Sequence, residues 1–165
     1  MKTYIRSIAL FFTLALFVSC EQERLEPASE VAPGGGTLSQ FMAYSIAATD
    51  PDGSNVNGRI VFWKGKLNQT LVQVSLYNTV PDLQHPVLIL NGPTGTASET
   101  MIDLSTVSGD TGELGESKFF IIDAAAFYDS IATMDSHISI FLSENDDTIV
   151  ATGNLGANAE PVDMN

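Results

Sequence analysis

The chain has 165 residues, 44% of them apolar, and its 20 Asp and Glu outnumber seven Lys and Arg, for a formal charge of −13. A surface this acidic repels nucleic acid and anionic headgroups, which excludes nucleic-acid binding and membrane attachment through basic patches. A single cysteine leaves no disulfide framework, so the fold rests on its core alone.

The N-terminus reads as an export signal. Lys2 and Arg6 form a positive start, residues 8–18 are apolar except for Thr13, and the small residue Ser19 precedes Cys20. Eleven residues are too few to span a bilayer, which takes about 20. The chain turns polar at once with Glu21-Gln22-Glu23-Arg24. This arrangement resembles the signal of bacterial lipoproteins, in which cleavage precedes the cysteine and lipid is joined to its thiol. Phe17 stands where that family prefers Leu, with Leu16 one step earlier. The resemblance implies a signal peptide over residues 1–19 and a lipid anchor on Cys20. Cleavage leaves five basic residues against 20 acids, a formal −15, so acyl chains must hold the protein to the membrane.

Residues 20–40 comprise the cysteine and a polar, Pro- and Gly-bearing stretch. It is expected to act as a flexible tether reaching about 25 Å from the lipid. Glu21, Glu23 and Glu26 resemble the acidic surface-export signal of Bacteroidota lipoproteins. That implies an outer-membrane lipoprotein at the cell surface, with the periplasmic face as the alternative.

From Phe41 the text changes to short apolar runs between turn residues. Strands are expected at residues 41–47, 59–64, 70–77, 86–91, 99–104, 118–122, 136–143 and 148–153. Asp50-Pro51-Asp52-Gly53 and Asn57-Gly58 are turn chemistry. Residues 65–69 join two of the strands as a hairpin, and Val72, Val74 and Leu76 share one face of the second. One helix is expected over residues 124–134, with Asp123 as its N-cap. Eight short strands at this spacing imply an all-β sandwich or Greek-key barrel in a single domain. Residues 159–165 form a C-terminal tail.

The second half of this domain carries a further resemblance. Leu76-Tyr77-Asn78 precedes Pro81 and His85-Pro86-Val87-Leu88-Ile89-Leu90. Asp103-Leu104, Val107-Ser108-Gly109-Asp110-Thr111-Gly112, the helix, Ile138-Ser139-Ile140-Phe141-Leu142-Ser143 and Ile149-Val150-Ala151-Thr152-Gly153 then follow in order. This resembles the CHRD (chordin-type) domain of exported bacterial lipoproteins over residues 41–158. The resemblance implies an immunoglobulin-like or superoxide-dismutase-like Greek-key β-sandwich with one short helix. Members of that family typically read His-Pro-Ala-His-Ile-His where this chain has residues 85–90, and often place another histidine at the position of Phe141. Here only His85 remains. Leu88, Leu90 and Phe141 cannot ligate a metal, so no metal or cofactor is expected.

Strand parity suggests what those three residues do instead. Val87 and Ile89 alternate with Leu88 and Leu90, and Ile138, Ile140 and Leu142 alternate with His137 and Phe141. With the first set of each strand facing the core, Leu88, Leu90 and Phe141 project from the other side as a candidate apolar patch. The patch is either a second small core covered by the chain's own loops or a site for a small ligand or an envelope protein.

The remaining candidates are weak. His85 is read as a turn residue before Pro86, and His137 as a strand surface residue. Asp50, Asp52 and Ser54 open like a calcium loop, but Val61 stands where the closing glutamate belongs. Glu144-Asn145-Asp146-Asp147 reads as an acidic hairpin loop. His-Glu-x-x-His, Gly-x-Ser-x-Gly and phosphate-binding glycine motifs are missing. The expectation is therefore a non-catalytic, lipid-anchored envelope module that binds or scaffolds. The alternatives are a metal-binding or redox-related protein derived from a His-bearing ancestor, and a carbohydrate-acting enzyme.

Overall fold

The computed structural model describes residues 31–32, 36–38, 40–65, 68–96, 98–114 and 118–163. Cys20 and the signal peptide lie outside the described residues. Within the expected tether, β1 (Val31–Ala32) pairs antiparallel with β2 (Gly36–Thr37). The domain is all-β. Eight strands follow: β3 (Phe41–Ala48), β4 (Asn57–Lys64), β5 (Thr70–Tyr77), β6 (Gln84–Asn91), β7 (Thr100–Ser108), β8 (Phe120–Ile122), β9 (Asp135–Ser143) and β10 (Asp146–Gly156). They form one antiparallel sheet in the order β7-β6-β9-β10-β3-β4-β5-β8, nearly closed into a barrel.

Alternation drives this arrangement. Val72, Val74 and Leu76 of β5 are buried while Gln73 and Ser75 are half-buried, and the same beat runs through Val87 and Ile89 of β6. The inward residues Tyr44, Phe62, Val74, Ile89, Ile138 and Ile140 belong to one continuous core. Burying each such side chain contributes about 1.5–3 kcal/mol. One expected turn holds and the other does not: the Gly53 amide donates to Asp50 Oδ1 at 3.0 Å, which makes the Asp50 loop a plain turn, whereas Asn57 and Gly58 open β4 as ladder partners of Tyr77 and Leu76. The β4–β5 hairpin closes through the Gly65 amide donating to the Gln69 carbonyl at 2.9 Å. Pro86 sits inside β6 at a position paired with Thr106 of β7, one residue before the β9 ladder begins at Val87, so its missing N–H costs that ladder nothing.

Near the two end strands of the sheet, Lys118, two residues before β8, is tied to β7. Lys118 Nζ donates to the Thr106 carbonyl of β7 at 2.9 Å and to Glu113 Oε1 at 2.7 Å, and the Ser108 amide donates to the same oxygen at 3.0 Å. Gly112 lets the segment after β7 dock on the end of β5. Its φ is +59°, and a Cβ there would stand 2.0 Å from the Leu76 carbonyl oxygen.

The helix is shorter than the sequence reading holds. Helix α1 spans only Phe127–Ser130 and runs into a 3-10 turn at Ile131–Thr133. Asp123 does not cap it. The N-cap is Ala126, whose left-handed φ of 64° breaks the chain direction and whose side chain cannot cap. The break sets Phe127 against Phe62, with ring centroids 6.5 Å apart, and puts Ile131 fully in the core. No helix among the described residues is long and apolar enough to cross a membrane.

Candidate functional site

The outer face of β6, β9 and β10 carries a groove of about 610 Å³. Strand register builds it. Leu88 lies opposite Ser139, Leu90 opposite His137, and Phe141 opposite Ile149. On the inner side of the same strands Val87, Ile89, Ile138 and Ile140 are fully buried. Leu88, Leu90 and Phe141 are half-buried, and all three line the groove.

Residues 92–96 and 98–99 lie along one side of this face, with Gly95, Thr96 and Ser98 lining the groove. Gly92 has φ +77°, a conformation that turns the chain back at the end of β6. Its carbonyl accepts a hydrogen bond from His137 Nδ1 at 2.8 Å. Farther along, the Thr94 amide donates to Asn154 Oδ1 of β10 at 2.8 Å. Thr96 Oγ1 donates to the Pro93 carbonyl at 2.7 Å and lies 2.9 Å from Ser98 Oγ. Thr49, after β3, lines the groove as well, its hydroxyl held by the Ile149 carbonyl at 2.7 Å.

Two polar groups on the floor matter chemically. Ser139 is 1% exposed, and its hydroxyl has no hydrogen-bond partner among the described residues. A carbonyl only accepts, so the His137 ring carries its hydrogen on Nδ1, and in the neutral ring Nε2 is an acceptor. Among the described residues, no side chain lining the groove is Asp, Glu, Lys or Arg. Groups with displaced titration lie elsewhere. Burial pushes the Tyr44 and Tyr128 phenols up, and hydrogen bonds from Thr148 hold the Asp146 carboxyl down.

Both histidine readings are corrected. His85 is no turn residue. It lies within β6 and is fully buried, facing the same side as Val87 and Ile89. The Val80 amide donates to its Nε2 at 3.2 Å, and its Nδ1 donates to the Phe141 carbonyl at 3.0 Å. Both nitrogens are thus committed to the backbone. His137 is no surface residue either: it is 3% exposed, with Nδ1 hydrogen-bonded to the Gly92 carbonyl. The two rings face opposite sides of the sheet. The residue opposite His137 on β6 is Leu90, five positions from His85 and about 17 Å along the strand. They cannot hold one ion together. Among the described residues, no three His, Cys, Asp or Glu side chains gather as a metal-ligand set.

Ser139, Thr49, Ile149 and Thr152 also line the groove and were not singled out from the sequence. Ser139 was legible in principle, since it shares strand parity with His137 and Phe141. The residues of the 92–99 segment carried no such signal. No family model, no curated protein and no solved structure matches this chain.

Proposed function

We propose that this chain is a lipid-anchored cell-envelope protein of the CHRD type, a Greek-key β-sandwich that binds a small ligand in the outer-face groove without catalysis. The observation that carries the reading is the convergence of Leu88, Leu90 and Phe141 on one groove, within the ~300–1,000 Å³ range of small-molecule pockets. The strand order supports the Greek-key element. With the sheet ends brought together, the β5-to-β6 and β8-to-β9 connections each pass over two strands. The signal ending at Cys20 and the polar tether support an outer-membrane anchor with the domain at the cell surface.

Titration with the neutral apolar dye N-phenyl-1-naphthylamine tests the binding role. The expected result is one saturable site, weakened on the order of tenfold in Leu90→Asn and in Phe141→Ser, each of which removes apolar contact. Dye binding that never saturates, or that is untouched in both variants while their β-sheet circular dichroism is intact, sinks the reading.

A further inference from the structure

We infer that the ligand is an uncharged, largely apolar molecule bearing a hydroxyl or amide group, and that the Ser139 hydroxyl recognises that polar group; this rests on the groove being the binding site.

Three observations set the chemistry. Leu88, Leu90, Phe141 and Ile149 supply apolar walls, so most of the ligand is hydrocarbon or ring. Among the described residues no ionisable acid or base other than His137 lines the groove, so an ionised ligand would lose its water there with no formal counter-charge from these residues to replace it. Ser139 is buried at the groove with its hydroxyl unpaired among the described residues. An unpaired buried hydroxyl carries an energetic penalty that a ligand hydrogen bond removes.

The neighbouring groups narrow the polar partner further. Thr152 Oγ1 already donates to the Ile138 carbonyl and Thr49 Oγ1 to the Ile149 carbonyl, so neither has its proton to offer. His137 Nε2 is an acceptor two residues from Ser139 on the same face of β9, about 7 Å along the strand. Ser139 can donate or accept, while Nε2 accepts from a donor on the ligand. A ligand hydroxyl or amide satisfies both demands, and a carboxylate satisfies only the first.

The test is a calorimetric comparison of 2-naphthol, naphthalene and 2-naphthoate on the mature chain carrying Cys20→Ser, at neutral pH. The three probes share one ring system and differ only in the polar group. The expected order is naphthol tighter than naphthalene by about tenfold, with naphthoate weakest. Ser139→Ala should bring naphthol down to naphthalene and leave naphthalene unchanged. Equal binding of naphthol and naphthalene, tightest binding of naphthoate, or a naphthol preference that survives in Ser139→Ala overturns the inference and leaves the groove as a binding site. Failure of all three probes to saturate overturns the inference and the binding role together.

Discussion

Leu88 and Ser139 stand opposite each other across the β6–β9 ladder, a half-buried apolar side chain beside a fully buried hydroxyl that has no partner among the described residues. That juxtaposition is costly for the empty fold. An unpaired buried hydroxyl is typically destabilising by about 1–3 kcal/mol. The structure therefore carries a local penalty at the place where its outer face opens into a groove, a pattern expected where stability is traded for recognition.

Ser136 offers an internal control for this argument. It too is fully buried with a hydroxyl unpaired among the described residues, but it shares parity with Ile138 and Ile140 on the inner side of β9 and does not line the groove. Ser136→Ala and Ser139→Ala should each raise the urea midpoint, by about 1 kcal/mol of unfolding free energy. Only the second should alter probe binding. A loss of stability in both variants would mean that the hydroxyls are satisfied in solution.

His85 joins two otherwise separate stretches of backbone. It takes the Val80 amide and gives to the Phe141 carbonyl, each within hydrogen-bond distance. His85→Leu keeps much of the volume and strands both groups. The expected cost is about 3 kcal/mol in chemical denaturation, the sum of two lost partners in a buried setting. His85→Gln, which retains a donor and an acceptor, should recover part of it. Equal midpoints for wild type and His85→Leu would show that water replaces the imidazole.

Lys118, two residues before β8, is tied to β7 through the Thr106 carbonyl. Glu113 is 4% exposed at its side chain while Lys118 is 40% exposed, so removing the lysine takes the ammonium from a carboxylate with little access to water. Lys118→Met should cost about 2 kcal/mol, less than the loss of a fully buried pair because the lysine is partly solvated. Adding Glu113→Gln to Lys118→Met should return part of that loss. A double variant no more stable than the single one would place the stabilisation in the Thr106 contact instead.

Legibility from the sequence divides along a physical line. Strand existence was readable because Val72, Val74 and Leu76, or Val87 and Ile89, declare their period locally. The common parity of Leu88, Leu90 and Phe141 was readable for the same reason. What failed depended on contacts distant in sequence. His137 looks like a surface residue until Gly92, 45 positions away, supplies its acceptor, and His85 looks like a turn residue until Phe141, 56 positions away, supplies its own. The helix was overextended because residues 124–134 carry helix-compatible composition, whereas the left-handed Ala126 answers to the packing of Phe127 on Phe62. Ser139 lay in plain view between two flagged residues, but a missing partner can be seen only once its surroundings are assembled.

Tyr44 makes stability fall in alkali. It is 1% exposed, and burial pushes its phenol above the ordinary value; the charge of Glu160 acts the same way, while the Gly156 backbone opposes both. The folded state therefore holds this proton more tightly than the unfolded chain does. Its contribution is fully present below the unfolded value of about 10 and is lost as pH rises through the folded one. Tyr128 adds to the trend, raised first by burial and then by Asp129. The urea midpoint of the wild type should fall above a pH of about 10, and Tyr44→Phe should flatten that fall while changing the neutral-pH midpoint little. Tyrosinate absorbance should show the matching late-titrating fraction in the wild type and its reduction in the variant. If the alkaline fall is equally steep in Tyr44→Phe and Tyr128→Phe, ionisation of these two phenols is not its cause.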